Sequence, residues 1–133
     1  MKATELQLRD IMATEVLTTS AERPVAEVTG MMVKARVGSA VVLQGSWLAG
    51  ILTERDVLRA VASRSDLTKS PVSQWMTRDP VTATLDMTAE EAAAVMLTNG
   101  FRHLPVLEGR SLKGVVSIRD VLAAGIRRRQ TPE

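Results

Sequence analysis

GILTERDVLRA occupies residues 50–60, and GVVSIRDVLAA occupies residues 114–124. The two stretches lie 64 residues apart and keep Gly, a hydroxyl residue, Arg, Asp, Val, Leu and Ala in register. A fixed internal period decides architecture before any site is considered. The same shift pairs Met12 with Met76, Glu27 with Glu91, Met32 with Met96, Val42 and Leu43 with Val106 and Leu107, and Gly50 with Gly114, without a gap. The chain is a tandem repeat.

Each repeat begins with a short helical lead-in ending in Met and then reads β-α-β-β-α. In the first helix of each, Val28, Met31, Met32 and Ala35, then Ala92, Val95 and Met96, fall at helical spacing and mark a core face. Thr88 followed by Glu91 is a capping-box signature, Pro24 suits a first helical turn, and Asn99-Gly100 reads as a helix stop. SAVVL and WLAGIL flank the turn QGS, while RHLPVL and LKGVV flank EGR, so each repeat carries a hairpin of largely buried strands.

Such a small sheet with two helices cannot bury both of its faces alone. The expected fold is therefore α/β: two pseudo-twofold-related β-α-β-β-α repeats packed sheet to sheet. The expected boundaries are repeat 1 with its lead-in at 1–62, a polar linker SRSDLTKSP at 63–71, repeat 2 at 72–126 and a basic tail at 127–133.

Composition narrows the function classes. The 133 residues are 45% hydrophobic and 24% charged, as in an ordinary globular protein. No apolar run approaches the roughly 18 residues of a membrane span, and the opening MKATELQLRD lacks a secretory apolar stretch, so no membrane association and a cytoplasmic location are expected. With no Cys and one His, a disulfide framework, a Cys-containing metal site and most His-based metal centres are disfavoured. The net charge is +2, and Arg127 to Arg129 form the clearest basic run, which suits a solvated helix end. Nucleic acid is not an expected partner. The seven Met suit adaptable core packing.

The repeated phrase carries the chemistry. Thr53 with Asp56, and Ser117 with Asp120, each place a hydroxyl at a strand end and a carboxylate three residues on, which capping alone explains. Capping does not explain Arg55 and Arg119, which set cations against the positive end of a helix dipole. Surface ion pairing is one reading of them and a phosphate contact the other, since a helix start and a planar guanidinium both suit phosphate oxygens. An acceptor-only Asp suits a diol such as ribose. With 2% aromatic residues a ring cage for a base is not expected, which leaves the aliphatic segments VGSAVV at 37–42 and FRHLPV at 101–106 and their backbone edges. His103 reads either as a strand-entrance cap or, with Arg102, as a phosphate contact.

Taken together, DIMATEVLTTS, QWMTRDPVTATLD, GSAVVL, FRHLPVLEG, GILTERDVL and GVVSIRDVL resemble the repeat of the cystathionine β-synthase (CBS) domain family. Two in tandem resemble a CBS pair, or Bateman module, over about Leu8 to Ile126. The resemblance implies clefts between the repeats for adenosine-containing ligands: AMP, ADP, ATP or S-adenosylmethionine. It implies that Asp56 and Asp120 hold ribose hydroxyls, with Thr53 and Ser117 near ribose or phosphate. It further implicates the first-strand segments Thr18, Thr19 and Ser20, and Thr82, Ala83 and Thr84. From the central-strand entrances it adds Gly38, Ser39 and Ala40, and Arg102, His103, Leu104 and Pro105. The second entrance is the more cationic, so the two clefts are expected to differ.

The expected function is a stand-alone regulatory module that senses an adenosyl ligand, works as a homodimer and signals to an effector protein. No obligatory cofactor, resident metal or catalytic residue is expected. The competing reading is a ligand-free dimerisation scaffold in which the Asp residues are only caps.

Overall fold

The structure, a computed structural model, describes residues 6–130, with side chains through Arg127. The first elements are α1 (Leu8–Ile11), β1 (Thr18–Thr19), α2 (Val25–Ala35), β2 (Ser39–Gln44), β3 (Trp47–Thr53), α3 (Glu54–Ala62), α4 (Val72–Trp75) and β4 (Thr77–Arg78). They are followed by β5 (Ala83–Thr84), α5 (Ala89–Asn99), β6 (His103–Glu108), β7 (Ser111–Ser117) and α6 (Ile118–Gln130). No described helix is long and apolar enough to cross a membrane.

Local chemistry sets these elements. Thr88 and Glu91 form the expected reciprocal cap of α5, and Gly100 ends that helix at φ 74°. Pro24 stands just before α2 as its cap residue, not within the first turn, because its ψ of 142° is extended. In both hairpins the register slips by one residue, at Val42/Leu43 and at Val106/Leu107. The sheets differ in one strand. In one, β1 runs parallel to β2, β2 pairs antiparallel with β3, and β4 extends the edge beside β3. The other orders β5-β6-β7.

The compact units do not follow the order of the repeats. One comprises Val16–Pro80, and the other joins residues through Glu15 to those from Val81 onward. Each lead-in therefore packs in the unit formed by the other repeat. Val72 and Met76 lie in the core with Val28, Met32, Val42 and Leu52, whereas Leu8 lies in the core with Ala92, Met96, Leu104 and Val116.

The reason lies in the orphan N–H groups of short helices, which need acceptors from outside. The Leu8 N–H donates to the Met87 carbonyl at 2.8 Å and the Arg9 N–H to that of Leu85 at 3.2 Å. One period on, the Val72 N–H donates to the Arg23 carbonyl at 2.9 Å and the Ser73 N–H to that of Ala21 at 2.8 Å.

The linker is likewise part of its unit. Leu67 packs on the core, Ser70 is buried, and the Ala26 N–H donates to the Leu67 carbonyl at 2.9 Å. The Thr68 hydroxyl and N–H both donate to Asp66, at 2.6 and 3.0 Å, and hold its carboxyl below the usual range. The basic run belongs to α6, which continues to Gln130 rather than ending before a tail. Arg127 is exposed; the side chains of Arg128 and Arg129, and residues 131–133, lie outside the described residues.

Gly50 and Gly114 now have a cause. A Cβ on Gly50 would lie 2.7 Å from the Thr77 carbonyl oxygen and 2.9 Å from the Met76 sulfur. On Gly114 it would lie 2.6 Å from the Ala13 carbonyl oxygen and 2.8 Å from the Met12 sulfur. The lead-in backbone passes too close for a side chain. Gly50→Ala and Gly114→Ala should each cost about 1–3 kcal/mol in urea denaturation. Gly30→Ala, in helix α2 with open space around its Cβ, should instead gain about 0.5–1 kcal/mol.

Candidate functional site

The junction from β3 into α3 is a closed capping box. The Thr53 N–H and hydroxyl donate to Asp56 Oδ2 at 2.9 and 3.1 Å, and the Asp56 N–H donates to the Thr53 hydroxyl at 3.4 Å. Gly38 completes the turn, its carbonyl accepting from the Glu54 N–H at 3.1 Å, and Ser39 pairs with Thr53 across the hairpin. Asp56 is 4% exposed. Its Oδ1 accepts from Arg59 Nη2 at 3.2 Å, and the Thr77 hydroxyl approaches both carboxylate oxygens at 3.4 and 3.5 Å. Arg59 is also held by the Trp75 carbonyl at 3.3 Å and lies 6.0 Å from the centre of the Trp75 ring.

The junction from β7 into α6 repeats the cap without those additions. The Ser117 N–H donates to Asp120 Oδ2 at 2.8 Å, and the Asp120 N–H donates to the Ser117 hydroxyl at 3.2 Å. The Ile118 N–H donates to the Arg102 carbonyl at 2.9 Å, and His103 pairs with Ser117. Each unit thus brings its central-strand entrance against its own cap: Gly38 and Ser39 in one, Arg102 and His103 in the other.

Other expected site residues stand apart from the caps. Thr18 and Thr19 pair with Val41 and Val42 on the far side of β2 from β3. At the usual strand spacing that is about 10 Å across the sheet from the junction. The Thr19 hydroxyl is buried and donates to the Ser20 carbonyl at 3.0 Å. Ala83 is buried, Thr82 is half-buried, and the exposed Thr84 donates to Asp86 at 2.7 Å.

Ala40 and Leu104 are fully buried core members and Pro105 is buried beside them. Their side chains therefore pack inward, which leaves only their backbone to a ligand. Arg55 and Arg119 are both exposed. The Arg119 side chain makes no hydrogen bond or ion pair with the described residues, whereas Arg55 and His103 have interactions within the protein.

Arg59 and Thr77 were not singled out from the sequence. Their signal was a break in the repeat: Arg59 aligns with Ala123 and Thr77 with Ala13.

The CBS domain family matches the chain twice, over residues 8–63 and 72–127, and the chain belongs to that family as a tandem pair. It is 37% identical over 120 residues to the uncharacterized 17.7 kDa protein in the bps2 3′ region of Acidianus ambivalens, covering 89% of this chain and 72% of that one. The CBS-domain containing protein ATU1752 from Agrobacterium tumefaciens superimposes with a TM-score of 0.86 at 28% identity, covering 94% and 97% of the two chains. The CBS domain pair of MJ0100, solved with 5′-methylthioadenosine and S-adenosyl-L-methionine, shares the fold with a TM-score of 0.83 at 22% identity, over 92% and 97%. The β-α-β-β-α repeats and these matches establish the expected α/β fold class.

The two caps should differ in stability. Asp56→Asn removes a charge that Arg59 and the cap both use, and should cost about 1.5–3 kcal/mol. Asp120→Asn weakens only a charge at a helix start, for about 0.3–1 kcal/mol. Urea midpoints of the two variants check this order, and equal costs would contradict it.

Proposed function

We propose that the chain is a regulatory module that binds an adenosine-containing ligand at a strand-to-helix junction and passes its state to an effector protein without catalysing a reaction. The observation that carries this reading is the second junction. There a helix start, the half-buried Asp120 carboxylate and the exposed Arg119 lie beside the entrance residues Arg102 and His103. An ionised carboxylate accepts from a ribose diol, and the planar guanidinium of Arg119 suits phosphate or carboxylate oxygens. The adenosyl ligands of the MJ0100 pair support the ligand class at the level of the shared fold.

A ligand shifts such a module only by its differential affinity for two states. We place its action in the cytoplasm, where adenine nucleotides and S-adenosylmethionine turn over. We also infer a homodimer, supported by large apolar side chains exposed at matching places in both repeats. Val33 and Leu97 are 74% and 79% exposed, and Leu58 and Leu122 are 69% and 60% exposed.

A thermal-shift panel of AMP, ADP, ATP and S-adenosylmethionine tests sensing. One of them at 100 times its dissociation constant should add about 2.7 kcal/mol. A flat response to all four would defeat the reading and favour the scaffold. Sedimentation of the wild type should give a dimer, and Leu58→Glu with Leu122→Glu should give a folded monomer. A monomeric wild type would exclude the dimer.

A further inference from the structure

Asp56 and Asp120 hold the same place in the repeat, but their carboxylates are not equally available. An ionised carboxylate has about four acceptor positions. Around Asp56, the Thr53 N–H, the Thr53 hydroxyl, Arg59 and the more distant Thr77 hydroxyl fill them. Around Asp120, Oδ2 accepts from the Ser117 N–H, and no described residue donates to Oδ1.

Two positions account for the contrast. Helix α3 carries Arg59 where α6 carries Ala123, and the second lead-in carries Thr77 where the first carries Ala13. The backbone places them alike, since Thr77 pairs with Ile51 and Ala13 bridges Val115, one period on. Alanine supplies no side-chain donor at either place. Arg59, by contrast, is held at a second point by the Trp75 carbonyl and ring.

We propose that Arg59 and Thr77 occupy the first junction in place of a ligand, so that this chain takes a ribose diol at Asp120 alone. Asp56 is then a positioning residue that ties α3 to the second lead-in. A diol entering at Asp56 must break a charge-assisted hydrogen bond, which is among the stronger kinds. At Asp120 it meets an open oxygen. The inference rests on the ribose role given to the junctions under the proposed function.

Calorimetric titration tests it, with AMP and S-adenosylmethionine as separate probes. The wild type should take up about one equivalent per chain of the probe that binds. Asp120→Asn should lose about tenfold or more in affinity, the scale of one hydrogen bond to a charged group, and Asp56→Asn should stay within about threefold. The double variant Arg59→Ala, Thr77→Ala gives the first junction the alanines of the second at those two positions, and should raise uptake to about two equivalents. Because it leaves both caps intact, it keeps the test valid if Asp56→Asn unfolds.

Two equal equivalents in the wild type, or unchanged uptake in the double variant, would overturn the inference and leave adenosyl binding standing. Loss of binding in a folded Asp56→Asn with retention in Asp120→Asn would do the same. Failure of both probes to bind the wild type would overturn this inference for those ligands; a failure extending to the whole panel would overturn sensing as well.

Discussion

The seating of each lead-in on the opposite repeat is the constraint from which the rest follows. Helices α1 and α4 are four residues long, too short to stand on their own hydrogen bonds. Backbone carbonyls of the opposite repeat cap their first N–H groups, and Leu8 and Val72 become core anchors there. The chain after each helix then crosses a glycine, Gly114 or Gly50, closely enough to exclude a Cβ. The glycine of the repeated phrase thus records a backbone crossing, and the crossing sets what stands beside the acid six residues later.

That crossing also separates the two junctions chemically. It carries the Thr77 hydroxyl to Asp56 and the bare methyl of Ala13 to the matching strand position in the other unit. The same Ser/Thr-x-x-Asp pattern closes a helix start in both places. In one, a buried carboxylate is used up by Arg59 and the lead-in; in the other, half of the carboxylate remains available. The two copies of the motif thus differ in their surroundings through a few neighbouring residues.

Much of this was legible because it is local. The hairpins, the Thr88–Glu91 cap and the helix stop at Gly100 are each written within a few residues, and the caps at Thr53 and Ser117 followed from the same short-range chemistry. The exchange of lead-ins was not legible, because a gapless repeat with matching core positions gives Leu8 and Val72 similar partners in either copy. Strand β4 was missed for the same reason, as its partner is chosen by the crossing. The inward packing of Ala40 and Leu104 depended on which strand face meets α2 or α5, which alternation cannot show in a strand apolar on both faces. Arg59 and Thr77 left a trace only as mismatches between the repeats.

The account comes down to which of two equivalent carboxylates a ligand touches. Backbone amide NMR of the 15N-labelled protein, titrated separately with AMP and with S-adenosylmethionine, measures this without any substitution. The account predicts the largest shifts at Arg102, His103 and Ser117 to Asp120, with Thr53 to Asp56 nearly unmoved. Shifts centred on Gly38, Ser39 and Thr53 to Asp56, with Ser117 to Asp120 silent, would contradict it.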